Sequence, residues 1–187
     1  MANSLPHLER LFPALAASGY SKSSEYDPSY NCIAFSVHDT GQWWERLPVH
    51  GYYWPLDRDD RIEDWINALK LNNYTVTNSQ ELEQGMEKIA IYVGYDGSPT
   101  HVARQLASGS WTSKIGKLED IVHSSTRALE GDEYGEVQII MKRKRAKRNE
   151  SAAGSEAPGD TASRRLSDAL RTVLTDSLVI GLAAQLG

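Results

Sequence analysis

Cysteine is almost absent from this chain, and long apolar runs are missing. Cys32 is the only cysteine among 187 residues, which excludes an intrachain disulfide framework and favours a reducing compartment. There is no run of about eighteen apolar residues, so we expect no membrane span. The N-terminus lacks the basic stretch and apolar core of a signal peptide. We therefore expect a cytoplasmic protein, unless it is exported by a route that reads no N-terminal signal.

An excess of positive charge is also lacking. The chain carries 25 acidic and 20 basic side chains, for a net charge of −5, which argues against nucleic acid as a partner. The basic run over residues 142–148 is the exception. We interpret this run as the solvated end of a domain rather than a contact for nucleic acid or an acidic membrane.

Composition divides the chain into three parts. Residues 1–144 have the composition of a compact domain, and residues 145–160, rich in Ser, Ala, Gly, Glu and Pro, that of a flexible linker. Residues 161–187 place apolar side chains at spacings of three and four, which predicts an amphipathic helix. This helix is too apolar to stay exposed, so we expect it to pack on its own domain, on a second copy or on another protein.

Apolar periodicity and turn residues predict helices first and then an antiparallel meander, which makes the fold class α+β. The predicted helices cover residues 5–17, with an interruption at Pro13, residues 31–37, and residues 60–71, where Asp60 is the cap. The predicted strands cover residues 74–77, 88–93, 101–106, 110–116 and 135–141. Residues 118–129 fit either a helix or a coil.

Cys32 lies in the first turn of the predicted helix over residues 31–37. Backbone N–H groups without partners and the positive end of the helix dipole stabilise a thiolate there, so we expect a lowered pKa for Cys32. His101 opens a predicted strand beside a turn, and across a cleft its imidazole would serve as the base for the thiol. Taken singly, a lone cysteine is more often a small buried hydrophobic residue.

A thiol hydrolase also needs a group that orients the imidazole and donors that stabilise an oxyanion. The strand after that of His101 carries two candidates for the orienting group. Ser113 is the first and Lys114 the second, although a charged lysine has no acceptor for the imidazole N–H. Asn31, with backbone N–H groups, is the candidate oxyanion donor. His123 is a rival base or orienting group, but a structural or exposed position is the simpler interpretation.

The candidate substrate-binding residues are aromatic or basic: Trp43, Trp44, Trp54, Trp111 and Arg104. Indole rings would line a groove for peptide or sugar chains, or else pack over the small core. Arg104 would bind a substrate carboxylate or face water. Cys32, His38 and His50 together would give a zinc site with one cysteine and loose spacing, which is not the paired-ligand pattern, so we expect no metal and no cofactor.

Several segments together resemble a bacterial protein family whose layout is similar to NlpC-type and CHAP-type amidases of the papain-like superfamily. A helix-borne cysteine followed by a strand-borne histidine is the chain order of those thiol hydrolases. The segments that carry the resemblance are Asn-Cys-Ile-Ala (31–34), Trp-Trp (43–44), Tyr-Trp-Pro (53–55), Lys-Ile-Ala-Ile-Tyr (88–92), Thr-His-Val-Ala-Arg-Gln (100–105), Trp-Thr-Ser-Lys-Ile-Gly (111–116) and Tyr-Gly (134–135).

The resemblance covers about residues 25–140. It implies a papain-like fold and a cysteine amidase or peptidase, with Cys32 as nucleophile and His101 as base. In NlpC-type enzymes the third residue is commonly His, Asn or Gln, so Ser113 or Lys114 departs from the pattern. We expect hydrolysis of amide bonds in a peptide or in the peptide stem of peptidoglycan. The alternative is a catalytically inactive papain-like module that binds a partner through its aromatic loop and C-terminal helix.

Overall fold

The structure, a computed structural model, describes residues 4–45, 51–56 and 62–146 of the chain. Its first compact unit comprises Met1–Ala146, and the sequence predicted a domain of residues 1–144. The predictions for Asp60, for His50, for the linker from residue 147 onward and for the helix over residues 161–187 lie outside the described residues. Within the described ranges, every helix falls short of the length and apolar character that a membrane crossing requires.

The described residues contain four short α-helices: α1 (Pro6–Leu11), α2 (Pro13–Ser18), α3 (Cys32–Ser36) and α4 (Ile62–Lys70). The break between α1 and α2 falls at Phe12 and confirms the predicted interruption at Pro13. Proline fits the start of a helix but lacks the N–H group that a helix interior requires. Asn31 begins α3 as its N-cap, since its Oδ1 accepts the N–H of Ala34 at 3.3 Å.

Seven strands form one antiparallel sheet in the described part of the chain: β1 (Tyr20–Lys22), β2 (Thr75–Thr77), β3 (Met86–Val93), β4 (Pro99–Gln105), β5 (Trp111–Lys114), β6 (Asp120–His123) and β7 (Glu136–Lys144). Their order is β1-β6-β5-β4-β3-β7-β2. The strands from β3 to β6 form a meander, and β7 returns to pair with β3. The predicted α+β class is confirmed.

Both faces of the sheet are covered, and each has its own core. One core includes α3 and α4 and contains Cys32 and Val102. The other includes α1, α2 and the 3-10 helix Thr126–Leu129, and contains Ala103. Successive side chains of a strand point to opposite faces. In β4, Val102 therefore faces α3, whereas His101 and Ala103 face the other side.

Two strands were not predicted, namely β1, which lies between the predicted helices over residues 5–17 and 31–37, and β6, which lies within residues 118–129. A helix or coil over residues 118–129 is therefore wrong, because these residues contain β6 and the 3-10 helix. In the sheet, β6 lies between β5 and β1, with Tyr20 opposite His123. Strands of three or four residues with polar side chains give little alternating signal, and their partners in the sheet decide their conformation. The pairing of β6 brings His123 beside β5.

Candidate active site

Cys32 and His101 line one cavity of about 340 Å³ near the beginning of β4. The pairing of β3 with β4 shifts register there, between Tyr92 and Val93, and such irregularities re-aim side chains. The walls of the cavity also include Asn31, Trp43, Trp44, Trp65, Thr100 and Tyr134. The fold thus brings the two predicted catalytic residues to one cavity, although the side chain of His101 points to the face of the sheet opposite α3.

The thiol of Cys32 is nearly enclosed, with 8% of the residue exposed. Burial is the largest influence and raises the pKa of the thiol to about 11, although the backbone N–H groups of Val102 and Ile33 act in the opposite direction. The lowered pKa expected from the helix start is therefore wrong. Desolvation of a thiolate outweighs the donors that a helix of only five residues supplies.

The imidazole of His101 is fully buried between two tyrosine rings. The ring of Tyr134 lies parallel to it, with centroids 4.2 Å apart and planes 2° apart, and the ring of Tyr92 meets it edge-on at 5.4 Å. Burial lowers the pKa of His101 to about 3, and the nearby His123 acts in the same direction. The imidazole is therefore neutral at physiological pH.

A chain of hydrogen bonds connects His101 with His123 through Ser113. The Oγ of Ser113 lies 3.0 Å from the Nε2 of His101 and 3.0 Å from the Nε2 of His123. The Nδ1 of His123 lies 2.7 Å from the carbonyl oxygen of Ser125. A carbonyl oxygen only accepts, so this Nδ1 carries the proton. Burial lowers the pKa of His123 to about 4, so the ring is neutral and its Nε2 accepts the Ser113 hydroxyl.

These hydrogen bonds fix the tautomer of His101. Because the Ser113 hydroxyl donates to His123, it accepts the Nε2–H of His101, and the Nδ1 of His101 keeps its lone pair. That Nδ1 is buried and has no hydrogen-bond partner among the described residues. The thiol of Cys32 is therefore not hydrogen-bonded to it in this structure, and the nitrogen able to act as a base is unoccupied.

The chain segment before β7 positions Tyr134 over the imidazole. Thr100 donates its hydroxyl to the carbonyl oxygen of Tyr134 at 2.6 Å. Gly135 has a φ of 71°, and a Cβ on it would lie 1.9 Å from the carbonyl oxygen of Val93. Only glycine fits this close approach. The Tyr-Gly pair was part of the resemblance pattern, but no feature of the sequence indicated the stacking of Tyr134 on His101.

Asn31 lines the cavity, but its amide already makes three contacts. The Nδ2 donates to the carbonyl oxygen of Trp44 at 2.6 Å, and the Oδ1 accepts the N–H groups of Ala34 at 3.3 Å and Trp44 at 3.4 Å. Asn31 therefore ties the start of α3 to the aromatic loop. Its role as an oxyanion donor stays a prediction.

Lys114 does not lie at the imidazole. Because successive residues of β5 face opposite sides, Ser113 and Lys114 diverge. The ammonium of Lys114 donates to the carbonyl oxygen of Leu118 and lies 3.6 Å from the Oδ1 of Asp120. It also lies 4.5 Å from the centre of the Tyr30 ring. The second candidate for the orienting group is therefore wrong, since its charge is satisfied elsewhere.

The candidate substrate-binding residues separate into two groups. Trp43 and Trp44 line the cavity. Trp54 and Trp111 pack in the two cores, one in each, so the core interpretation applies to them. Of the four predicted tryptophans, two therefore lie at the site. Trp65 of α4, which the sequence analysis did not single out, also lines the cavity.

Arg104 is engaged away from the cavity. Its guanidinium lies 3.5 Å from the carboxylate of Glu87 and 4.8 Å from the centre of the Phe35 ring, so the prediction that it binds a substrate carboxylate at this site is wrong. His38 also lies on Glu87, with its Nε2 at 2.8 Å. Within the described ranges, no group of three potential metal ligands occurs.

The fold and the cavity together define an α+β domain in which a buried cysteine and a buried histidine line the same cavity. The chain belongs to the family described as domain of unknown function (DUF7689), whose profile matches residues 21–142. The matched region contains Cys32, His101, Ser113, His123 and Tyr134. No curated protein and no solved structure matches the chain.

Proposed function

We propose that this protein is a thiol-dependent hydrolase of amide bonds with a papain-like arrangement of Cys32 and His101. The observation that carries the proposal is that both residues line one cavity while the Nδ1 of His101 keeps an unpartnered lone pair. A thiol and a neutral imidazole with a vacant nitrogen are what general-base catalysis of acyl transfer requires. Ser113 and His123 then share the role of the orienting group.

The first half of the reaction forms an acyl-enzyme. The Sγ of Cys32 attacks the substrate carbonyl carbon, its proton passes to the Nδ1 of His101, and the carbonyl electron pair moves onto oxygen. Asn31 and backbone N–H groups beside the thiol are the candidate oxyanion donors. The tetrahedral intermediate collapses when the carbon–nitrogen bond breaks, and the imidazolium gives its proton to the leaving amine. A thioester on Cys32 remains.

The second half hydrolyses this thioester. The Nδ1 of His101 takes a proton from water as the water oxygen attacks the thioester carbon. The carbon–sulfur bond then breaks, and the imidazolium returns the proton to the sulfur. Because the pKa is about 11 for the thiol and about 3 for the imidazole, the resting pair is neutral. Proton transfer therefore accompanies attack, as in serine hydrolases, and does not precede it.

The walls of the cavity favour a peptide-like substrate. The side chains of Trp43, Trp44 and Trp65 line it, and indole faces pack well against flat amide groups. The indole N–H groups of Trp43 and Trp65 are buried and have no hydrogen-bond partner among the described residues. Peptide carbonyl oxygens would supply acceptors to such donors. A peptide or the peptide stem of peptidoglycan satisfies this description.

A second function is favoured by the enclosure of the thiol. A cysteine that is 8% exposed, with a pKa raised by burial, has the properties of a structural residue. In this alternative the protein is a catalytically inactive papain-like module. It binds its partner through the aromatic loop that contains Trp43 and Trp44, and residues 161–187 supply a second contact or self-association.

The same proposal places the protein in a reducing compartment such as the cytoplasm, because its single cysteine has to stay a free thiol. A peptidoglycan substrate outside that compartment would then require export of the protein. Peptide substrates require no such step.

The proposal is tested with the full-length protein and a mixture of peptides and peptidoglycan stem fragments, with products identified by mass spectrometry. We expect cleavage of one amide bond type, and its complete loss in Cys32→Ala. The matched control is His7→Gln, which removes a partly exposed histidine paired with Glu119 at 3.2 Å. Cleavage that survives in Cys32→Ala contradicts the proposal. Saturable peptide binding without cleavage supports the inactive module instead.

A further inference from the structure

A second cluster of charged groups surrounds the buried carboxylate of Glu87. Its Oε1 accepts the hydroxyl of Tyr74 at 2.8 Å and two N–H groups of Arg143 at 2.8 and 3.0 Å. Its Oε2 lies 2.8 Å from the Nε2 of His38, 3.4 Å from Arg145 and 3.5 Å from Arg104. A carboxylate offers about four lone-pair positions. Six donors therefore compete for one acceptor group.

The cluster carries more positive charge than Glu87 neutralises. The guanidinium groups of Arg104, Arg143 and Arg145 converge on one carboxylate, which leaves an excess of two positive charges. The Nε of Arg104 is buried and has no hydrogen-bond partner in the described ranges. The other two guanidinium groups also donate to the backbone carbonyl oxygens of Asn72, Met86 and Gln105. The excess charge of the cluster therefore acts on a nearby anion through its electrostatic field.

A cavity of about 660 Å³ opens beside this cluster. Its walls include His38, Asn72, Asn73, Arg143 and Lys144, and they contain no acidic residue of the described chain. Its volume lies in the range of small-molecule sites. His38 and Asn73, with φ of 67° and 66°, are the two described non-glycine residues with positive φ. Each of them follows the end of a helix, where a left-handed residue is the usual termination.

We propose that this cavity binds a phosphorylated small molecule, held by Arg143, Lys144 and His38. A phosphate monoester carries nearly two negative charges at neutral pH, and the cavity wall offers it two cationic side chains, Arg143 and Lys144. Arginine and lysine donors suit phosphate oxygens. The basic run over residues 142–148 begins within β7, and two of its residues, Arg143 and Lys144, line the proposed binding site. The site is independent of the Cys32 cavity, with which it shares no wall residue.

A concave site on an acidic protein favours a small ligand over a nucleic acid strand. The net charge of the chain is −5, and a strand of phosphates requires an extended positive surface. Short single-stranded DNA is therefore expected to bind weakly, with a steep dependence on salt and without saturation at one site.

The test is calorimetric titration of the full-length protein with inorganic pyrophosphate at matched ionic strength. Citrate is titrated in parallel as an anion that carries carboxylates and no phosphate. We expect saturable binding of one pyrophosphate, weakened roughly tenfold in Lys144→Gln, because this variant loses one charge-assisted contact. The matched control is Lys142→Gln, which removes the same charge from the same strand. Lys142 pairs with Glu83 at 2.8 Å and does not line the cavity. We expect less than a threefold change there.

Three results would overturn this site. The first is the absence of saturable pyrophosphate binding at low salt. The second is an equal loss of affinity in the two lysine variants, which means that net charge alone attracts the anion. The third is tighter binding of citrate or of single-stranded DNA than of pyrophosphate. Because Cys32→Ser leaves this cavity intact, unchanged pyrophosphate binding in that variant separates this proposal from the hydrolase.

Discussion

At the scale of the residue, one proton position decides whether His101 acts as a base. Ser113 and His123 hold the Nε2 side of the ring through two hydrogen bonds of 3.0 Å, and the carbonyl oxygen of Ser125 anchors the far end. The donor and acceptor directions of these hydrogen bonds leave the lone pair on the Nδ1 of His101. Ser113 is therefore a positioning residue, which acts on the reaction only through the imidazole.

This role makes Ser113→Ala a test of the tautomer. Loss of the hydroxyl removes the acceptor of the Nε2–H, so we expect part of the His101 population to move its proton to Nδ1. Nitrogen-15 NMR of the imidazole should change from one pyridine-type signal at Nδ1 to a mixture of tautomers. We also expect kcat to fall by about tenfold to a hundredfold, in line with the cost of about 1–3 kcal/mol for a buried unsatisfied group.

Ser113→Thr is the conservative control, because it keeps the hydroxyl. It should retain the wild-type nitrogen spectrum and most of the activity. An unchanged spectrum in Ser113→Ala would show that the hydrogen-bond chain does not set the proton position.

At the scale of the element, Glu87 joins segments that are distant in sequence. It lies on β3 and contacts Arg104 of β4, Arg143 of β7 and His38 just after α3. Burial by itself would raise the pKa of Glu87. Hydrogen bonds from His38 and Tyr74 and the charge of Arg143 outweigh burial and lower that pKa to about 2. The carboxylate therefore stays charged and holds β3, β4 and β7 to the segment that follows α3.

We expect Glu87→Gln to lower the free energy of unfolding by about 3–5 kcal/mol, because it leaves buried guanidinium groups without their counter-charge. Urea denaturation followed by circular dichroism measures this loss. The matched control is Glu83→Gln, which removes a half-exposed partner of Lys142 and should change stability little. Equal effects of the two substitutions would contradict a special role for Glu87.

At the scale of the whole molecule, the buried histidines make the fold sensitive to acid. The pKa falls from 6.5 to about 3 for His101 and to about 4 for His123 in the folded state. Between these values and 6.5 the unfolded chain binds more protons than the folded chain, so stability rises with pH there. Their contribution is complete above about pH 6.5 and is lost as the pH falls toward 4 and then 3.

We therefore expect the midpoint of urea unfolding to decrease steadily below pH 6.5, and His123→Gln to make this decrease shallower. The comparison is made between pH 7 and about pH 5.5, above the ordinary pKa of 4.5 at which the unfolded chain protonates Glu87. A pH-independent midpoint over that range would show that the two imidazoles are not held neutral by burial.

Much of this architecture was predictable from local patterns. The interruption at Pro13, the start of α3 beside Asn31 and the alternating apolar residues of β3 follow from proline geometry, capping and strand periodicity. Short strands such as β1 and β6 were not predictable, because only their neighbours in the sheet make them strands.

At the candidate site, the sequence indicated which residues belong together but not their electrostatics. Ser113 was a prediction from the order of strands, and the structure brings it to His101. The pKa of Cys32 depends on burial, which no local pattern reports, so the helix start alone predicted the wrong direction. His123 and Tyr134 reach the imidazole through tertiary pairing and a glycine turn, and neither contact has a local signature.

The central claim is that Cys32 attacks with His101 as its base, and the rate of acylation of Cys32 tests it most directly. The full-length protein is mixed with an activated ester of an N-acylated amino acid, and the thioester on Cys32 is followed by intact mass. His101→Gln is checked for folding by circular dichroism, and His7→Gln is the control. The account predicts that acylation is about 10²–10⁴-fold slower in His101→Gln and unchanged in His7→Gln. Equal acylation rates in the wild-type protein and folded His101→Gln would contradict it.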